Sequence, residues 1–272
     1  MQSAAFWAAA TCYAVATALF FAEAAFRKRG AGAWGHAVAA IGLLPHLAAI
    51  AMRWSEVGHG PFSTRYEVLS ANSFLLVAVY LVAARVAPGL RPLGVFVLPA
   101  GFLMMGWAVD TMGVRNEVPI IFRSYWLWLH IGFAKLYSAA TVIAAACAVA
   151  YLAKERQPGR LERFPAPAKL DLYAHQFLLV SFLFLGVMIA AGSLWAHQSW
   201  GRYWAWDPIE TTALSTWVAL GVILHFRILH GWPPRRMAWL TLLALAFMIV
   251  TLYVVVLVTP TIHNFYMVGE PR

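Results

Sequence analysis

The residues best suited to chemistry cluster between Trp195 and Trp217, in the stretch WAHQSWGRYWAWDPIETTALSTW. Trp195, Trp200, Trp204 and Trp206 stand there with Tyr203, and Asp207, Pro208 and Glu210 come directly after. Tryptophan joins a broad apolar body to a single N–H, so such a run can stack on a large planar ligand or sit at a bilayer interface. Asp-Pro-x-Glu is also a helix start: Asp207 can cap free amides, Pro208 suits the first helical position, and Glu210 completes a capping box. Aromatic belts are common at helix ends and a cap needs no function. The order WGRYWAWDP is nevertheless more specific than its composition.

The other candidates are histidines. An iron porphyrin is a large planar ligand whose metal takes one axial side chain on each face, and two imidazoles from separate helices leave no open site. His130 and His263 are far apart in sequence, yet both fall at the ends of apolar spans on the side of the tryptophans. Arg123, Arg202 and Arg65 could meet haem propionates at that surface. His225 falls near the other side, where it could ligate a second haem position. His46, His130, Lys135 and His225 lie within apolar spans, where an ionisable group is costly to keep without a reason. His36, His175 and His230 fall at inner span ends, while His59 and His197 fall in loops expected on the tryptophan side. No glycine-rich phosphate loop, HExxH or Ser-His-Asp pattern occurs, so no catalytic group is assigned. Cys12 and Cys147 sit in apolar runs and form no CxxC, which excludes dithiol exchange by a vicinal pair and covalent haem by CxxCH.

These residues must be positioned by a membrane bundle. The chain of 272 residues is 62% hydrophobic and only 11% charged, outside the range of a soluble domain. Crossing a core about 30 Å thick takes about twenty apolar residues. Eight such spans are predicted: Ala4–Phe26, Trp34–Met52, Glu67–Val86, Leu93–Val109, Tyr125–Leu152, Leu172–Leu194, Ile209–Leu229 and Met237–Thr259. The fold class is therefore an all-α integral membrane protein, one bundle over 1–272 with the tryptophan segment at 195–210. The first span has no basic residue before it and is expected to be a retained helix.

A net charge of +9 would ordinarily suggest nucleic acid, but orientation accounts for it better. Thirteen Lys and Arg fall in the loops after spans one, three, five and seven, six fall on the opposite side, and Lys135 is inside span five. The positive-inside rule then puts both termini and the tryptophan segment outside the cytoplasm. A quinone-linked membrane electron carrier holding haem b would also need histidine pairs across helices and stays open at this point.

On these residues the chain resembles the CcsA/ResC family of cytochrome c biogenesis proteins, which carry a tryptophan-rich "WWD" segment. The resemblance rests on WGRYWAWDPIE, with RWSEVGHGPFSTRYEVL at Arg53–Leu69, WLWLHIGFAKLYSAA at Trp126–Ala140, VILHFRILHGW at Val222–Trp232 and TIHNFY at Thr261–Tyr266. It implies a component of a membrane cytochrome c synthase, or haem lyase, in the bacterial inner membrane with the WWD segment on the periplasmic side. Haem b would be the transported ligand, an apocytochrome c with CxxCH its acceptor, and a CcsB/ResB-type membrane protein the partner. By motif the external axial ligands fall on His130 and His263, and the transmembrane histidine on His225. Trp200, Arg202, Tyr203, Trp204, Trp206, Asp207 and Arg123 would surround the external haem. The chain departs from the family's pattern at Ile209, where Lys is usual, and around Thr64 and Arg65.

Overall fold

The computed structural model describes residues 1–118, 120–157, 159 and 161–261. Within these residues, eight helices are long and apolar enough to cross a membrane. They are α1 (Gln2–Phe26), α2 (Ala31–Val57), α3 (Arg65–Val86), α4 (Pro88–Thr111), α5 (Tyr125–Arg156), α6 (Pro167–Trp200), α7 (Pro208–Ile228) and α8 (Pro234–Val258). Hydrocarbon offers no water to the backbone, so each span must close its own hydrogen bonds as a helix. No strand occurs among the described residues. The bundle is all-α, as the sequence leads one to expect.

Several helices overrun their apolar spans. α5 has 32 residues and α6 has 34, so at about 1.5 Å per residue both outreach a hydrocarbon core of about 30 Å. This corrects one reading of the sequence. Trp195 to Trp200, His197 included, form the last turns of α6 and not a loop. The helix stops where Gly201 adopts φ +72°, a left-handed conformation that glycine takes without strain.

Small side chains bring the helices together. α5 lies along α6 and carries a buried run of Ala139, Ala140, Ala144, Ala145, Ala146, Cys147 and Ala148. Such a stripe lets backbones approach closely in lipid. α2 also meets α1 closely, since a Cβ on Gly42 would come 2.7 Å from the Cβ of Cys12. α3 packs on α4 and α5, while α7 touches both α6 and α8.

Buried polar groups fasten specific pairs. His46 bonds Tyr13 Oη at 3.1 Å and Ser70 Oγ at 3.0 Å, which joins α1, α2 and α3. Its place inside a span is thereby explained by packing. Arg53 donates to Glu67 Oε1 at 2.9 Å and also to the carbonyl of Val114, while Glu67 Oε2 accepts from the Ser63 amide. At the far end Arg227 grips Asp171 through two bonds of 2.5 and 2.7 Å, joining α7 to α6.

One irregularity has no counterpart in the apolar pattern. From Val250 to Val254, α8 opens into a π-helical turn. An extra residue in a turn rotates the downstream part of the helix and commonly accompanies function. Here Thr251 and Tyr253 are buried, and Thr251 Oγ1 lies 2.8 Å from Thr216 Oγ1 of α7.

The segments 58–64, 112–118, 120–124 and 201–207 converge on what we term the tryptophan end. Phe62 stacks on Phe122, Phe122 leans on Trp195, and Ser124 Oγ donates to Gln198 Oε1 at 2.6 Å. At the opposite, basic end, Arg163 pairs with Glu23 and Lys154 donates to the Phe164 carbonyl at 2.6 Å.

Candidate functional site

α7 begins as the sequence predicts. The Asp207 carboxylate accepts from the Ile209 amide at 3.0 Å, and Glu210 Oε2 accepts from the amides of Asp207 (3.2 Å) and Ala205 (2.8 Å). The loop carrying the tryptophans is thus tied down from below. Asp207 Oδ1 also accepts from Thr261 Oγ1 at 3.0 Å, which brings the chain after α8 to the same loop.

The indoles do not form a flat shelf. Trp195 is buried, and Trp200 meets it edge-on with centroids 4.9 Å apart at 69°. Trp204 and Trp206 are likewise at 87° over 5.8 Å. Edge-to-face contact suits the ring quadrupole better than a sandwich, so a dense indole run folds into a corrugated wall. Tyr203 stacks on His197 at 4.1 Å and 10°. Trp206 has φ +57° and is 70% exposed, the largest uncovered aromatic face of the segment. The Trp204 indole N–H is buried and meets no acceptor among the described residues.

His130 sits on the second turn of α5, half-buried, its ring 25° from that of Trp195 with centroids 6.4 Å apart. Its Nδ1 is 2.9 Å from the Met188 carbonyl of α6. A carbonyl can only accept, so Nδ1 carries the hydrogen and the lone pair of the neutral ring is on Nε2, the nitrogen able to bind a metal. The ring has room because position 192 is glycine. A Cβ there would come 2.6 Å from His130 Nδ1. A cleft lined by His130, Trp195, Trp200, Tyr203 and Trp204 results.

Under the cleft lies a second space of about 110 Å3, reached by His130, Met188 and Trp195 and continuing inward to Lys135, Asn72 and Tyr253. Phe62, Phe122 and Leu127 roof it with Trp195. Gly60 leaves room for Trp128, which meets Phe62 of that roof edge-on, since a Cβ on Gly60 would strike the Trp128 ring.

The structure therefore brings together His130, Trp200, Tyr203, Trp204, Trp206 and Asp207. Arg123 and Arg202 are exposed at the same end. Arg65 is engaged elsewhere, with Asp110 at 2.5 Å and over the Trp107 ring. His225 is at the opposite end, exposed in the last turn of α7, its ring 5.2 Å from that of His230. His263 lies outside the described residues. The Met188 carbonyl, Gly192, Asn72 and Tyr253 lie in none of the quoted motifs, whereas Lys135 lies within WLWLHIGFAKLYSAA and was also marked by its charge inside a span.

The sequence profile of the cytochrome c assembly protein family matches residues 34–263. Among curated proteins, the cytochrome c biogenesis protein CcsA of Gloeobacter violaceus is 28% identical over 298 aligned positions, covering 86% of this chain and 86% of that protein. CcsA of Synechococcus elongatus is 28% identical, with 77% of this chain and 80% of that protein covered. CcsA of Chlamydomonas reinhardtii is 29% identical over 69% of this chain and 55% of that protein. Of solved structures, the cytochrome c haem lyase CcmF superposes with a TM-score of 0.71 at 16% identity, covering 92% of this chain and 46% of CcmF. That likeness is one of fold. The chain spans about half the length of CcmF and of the algal protein.

Proposed function

The chain belongs to the cytochrome c assembly protein family, and from that premise we propose that it binds haem b at the tryptophan end and presents it there to apocytochrome c. The observation that carries this reading is His130: its Nδ1 meets the Met188 carbonyl, which puts the lone pair of the neutral ring on Nε2, and it borders a cleft walled by tryptophan. The unmatched Trp204 N–H in that wall suits a ligand that brings an acceptor.

His263 is the proposed second axial ligand. Support comes from Thr261, two residues earlier in the sequence, which is bonded to Asp207 in the tryptophan loop. Arg123 and Arg202 are the exposed cations available to propionates at this surface.

Thioether formation adds each CxxCH thiol across a haem vinyl group. Sulfur bonds the carbon next to the ring and the thiol proton goes to the terminal carbon, so the addition balances without an oxidant. The contribution of this chain is orientation: a fixed haem turns a bimolecular encounter into a guided one. His225, exposed at the basic end, is proposed to hold haem on its way across, with a CcsB/ResB-type partner covering that face. The excess of basic residues supports an orientation with the basic end in the cytoplasm and the tryptophan end on the periplasmic side of a bacterial inner membrane. In this reading the chain is one component of a membrane cytochrome c synthase.

The test is spectroscopic and functional together. The purified protein is expected to show the Soret band of bis-histidine haem, and His130→Ala or His263→Ala should each abolish cytochrome c maturation, with partial return on adding imidazole. Full maturation in the double alanine variant would end the ligand assignment. His225→Ala should lower the haem that copurifies.

A further inference from the structure

Lys135 is a cation 7% exposed about a third of the way along α5, and the external-ligand reading gives it no work. Its ammonium donates to Asn72 Oδ1 at 2.9 Å and to the Val68 carbonyl at 3.4 Å, and no carboxylate among the described residues pairs with it. The nearby Glu67 is already taken by Arg53 and the Ser63 amide. Asn72 passes the contact on, donating from Nδ2 to Tyr253 Oη at 3.0 Å. Three helices, α3, α5 and α8, therefore contribute one polar wall, and the π-helical turn of α8 contains its tyrosine.

Burying an ammonium without a counter-ion is expensive, more so in a membrane, and a site that keeps one is built to receive negative charge. This wall faces the space of about 110 Å3 under the aromatic roof, the same space that His130 borders. That volume admits several waters or a short carboxylate arm and falls far short of a porphyrin ring. Lys135 stands five residues after His130, about 7.5 Å along the helix axis. A propionate on a porphyrin held by His130 reaches a comparable distance from the metal.

We propose that the pocket of Lys135, Asn72 and Tyr253 is a carboxylate site that takes one haem propionate while the ring stays above, against the tryptophans. The inference rests on the reading of His130 as an axial ligand. It assigns a different task to the interior: the macrocycle is recognised by metal and stacking, and its orientation about the iron by a single buried charge. With one propionate drawn inward, the vinyl edge is turned toward the open side of the cleft.

The experiment is a Soret titration of the purified full-length chain with iron protoporphyrin IX and, separately, with its dimethyl ester, which keeps the ring and metal but has no carboxylates. The native protein is expected to prefer the free acid, with about tenfold of that preference due to the one charge-assisted hydrogen bond at Lys135 and the rest to the second propionate at the surface arginines. Lys135→Met should lower that ratio about tenfold and leave affinity for the ester unchanged. Asn72→Asp supplies the lysine with an internal carboxylate and should lower it in the same way, which covers a failure of the methionine variant to fold. An acid-to-ester preference that persists undiminished in whichever variant folds would overturn the site. Equal binding of acid and ester by the native protein would overturn it too, while leaving His130 standing. Uptake of neither porphyrin would instead sink the reading of His130, and this inference with it.

Discussion

At the scale of single residues, the site depends on atoms that carry no reactive group. Gly192 is the clearest: with a Cβ 2.6 Å from His130 Nδ1, the imidazole must shift and its bond to the Met188 carbonyl is lost. Gly192→Ala should therefore weaken haem binding about tenfold or more, the usual effect of removing a group that orients a metal ligand. Gly106→Ala, with nothing within 4 Å of the added methyl, is the matched control and should bind normally. His46 makes the opposite case. His46→Ala leaves Tyr13 and Ser70 unpaired in the core and should cost about 2–3 kcal/mol of stability. Haem bound per mole of folded protein should not change, and a specific loss of haem would show that more than packing is at stake. From the sequence both histidines looked alike, as ionisable groups inside spans. What separates them is the neighbour each finds on another helix, and a single sequence does not display that.

At the scale of elements, local chemistry was readable and long-range fit was not. Apolar length announced eight spans, and Asp-Pro-x-Glu announced the start of α7, because both depend on residues close in sequence. Glu210→Gln should preserve the capping box and Glu210→Ala should not, since glutamine can still accept from the amides of Ala205 and Asp207. Hydrogen exchange at 201–207 should rise only in the alanine variant. The overrun of α6 was missed because Ala196 to Trp200 is neither strongly apolar nor broken, and only Gly201 ends it. The wide turn in α8 was also hidden. Deleting Val250 should restore regular winding and rotate everything after it by about 100°. Thr261 would then leave Asp207, and maturation should fail although the helix itself persists.

At the scale of the whole molecule, the two ends of the bundle are chemically distinct. One end holds aromatic loops and the other holds most of the cations. If the basic end faces the cytoplasm, a membrane-impermeant maleimide should label Arg202→Cys in intact cells and Arg29→Cys only after the membrane is opened. The reverse pattern would overturn the orientation. One small feature also reaches across the molecule. The Asp207 carboxylate both starts α7 and receives Thr261, so the tryptophan loop and the tail behave as two halves of a single clasp. Chimeras with related proteins should therefore work when both segments are exchanged as a set and fail when either is swapped alone.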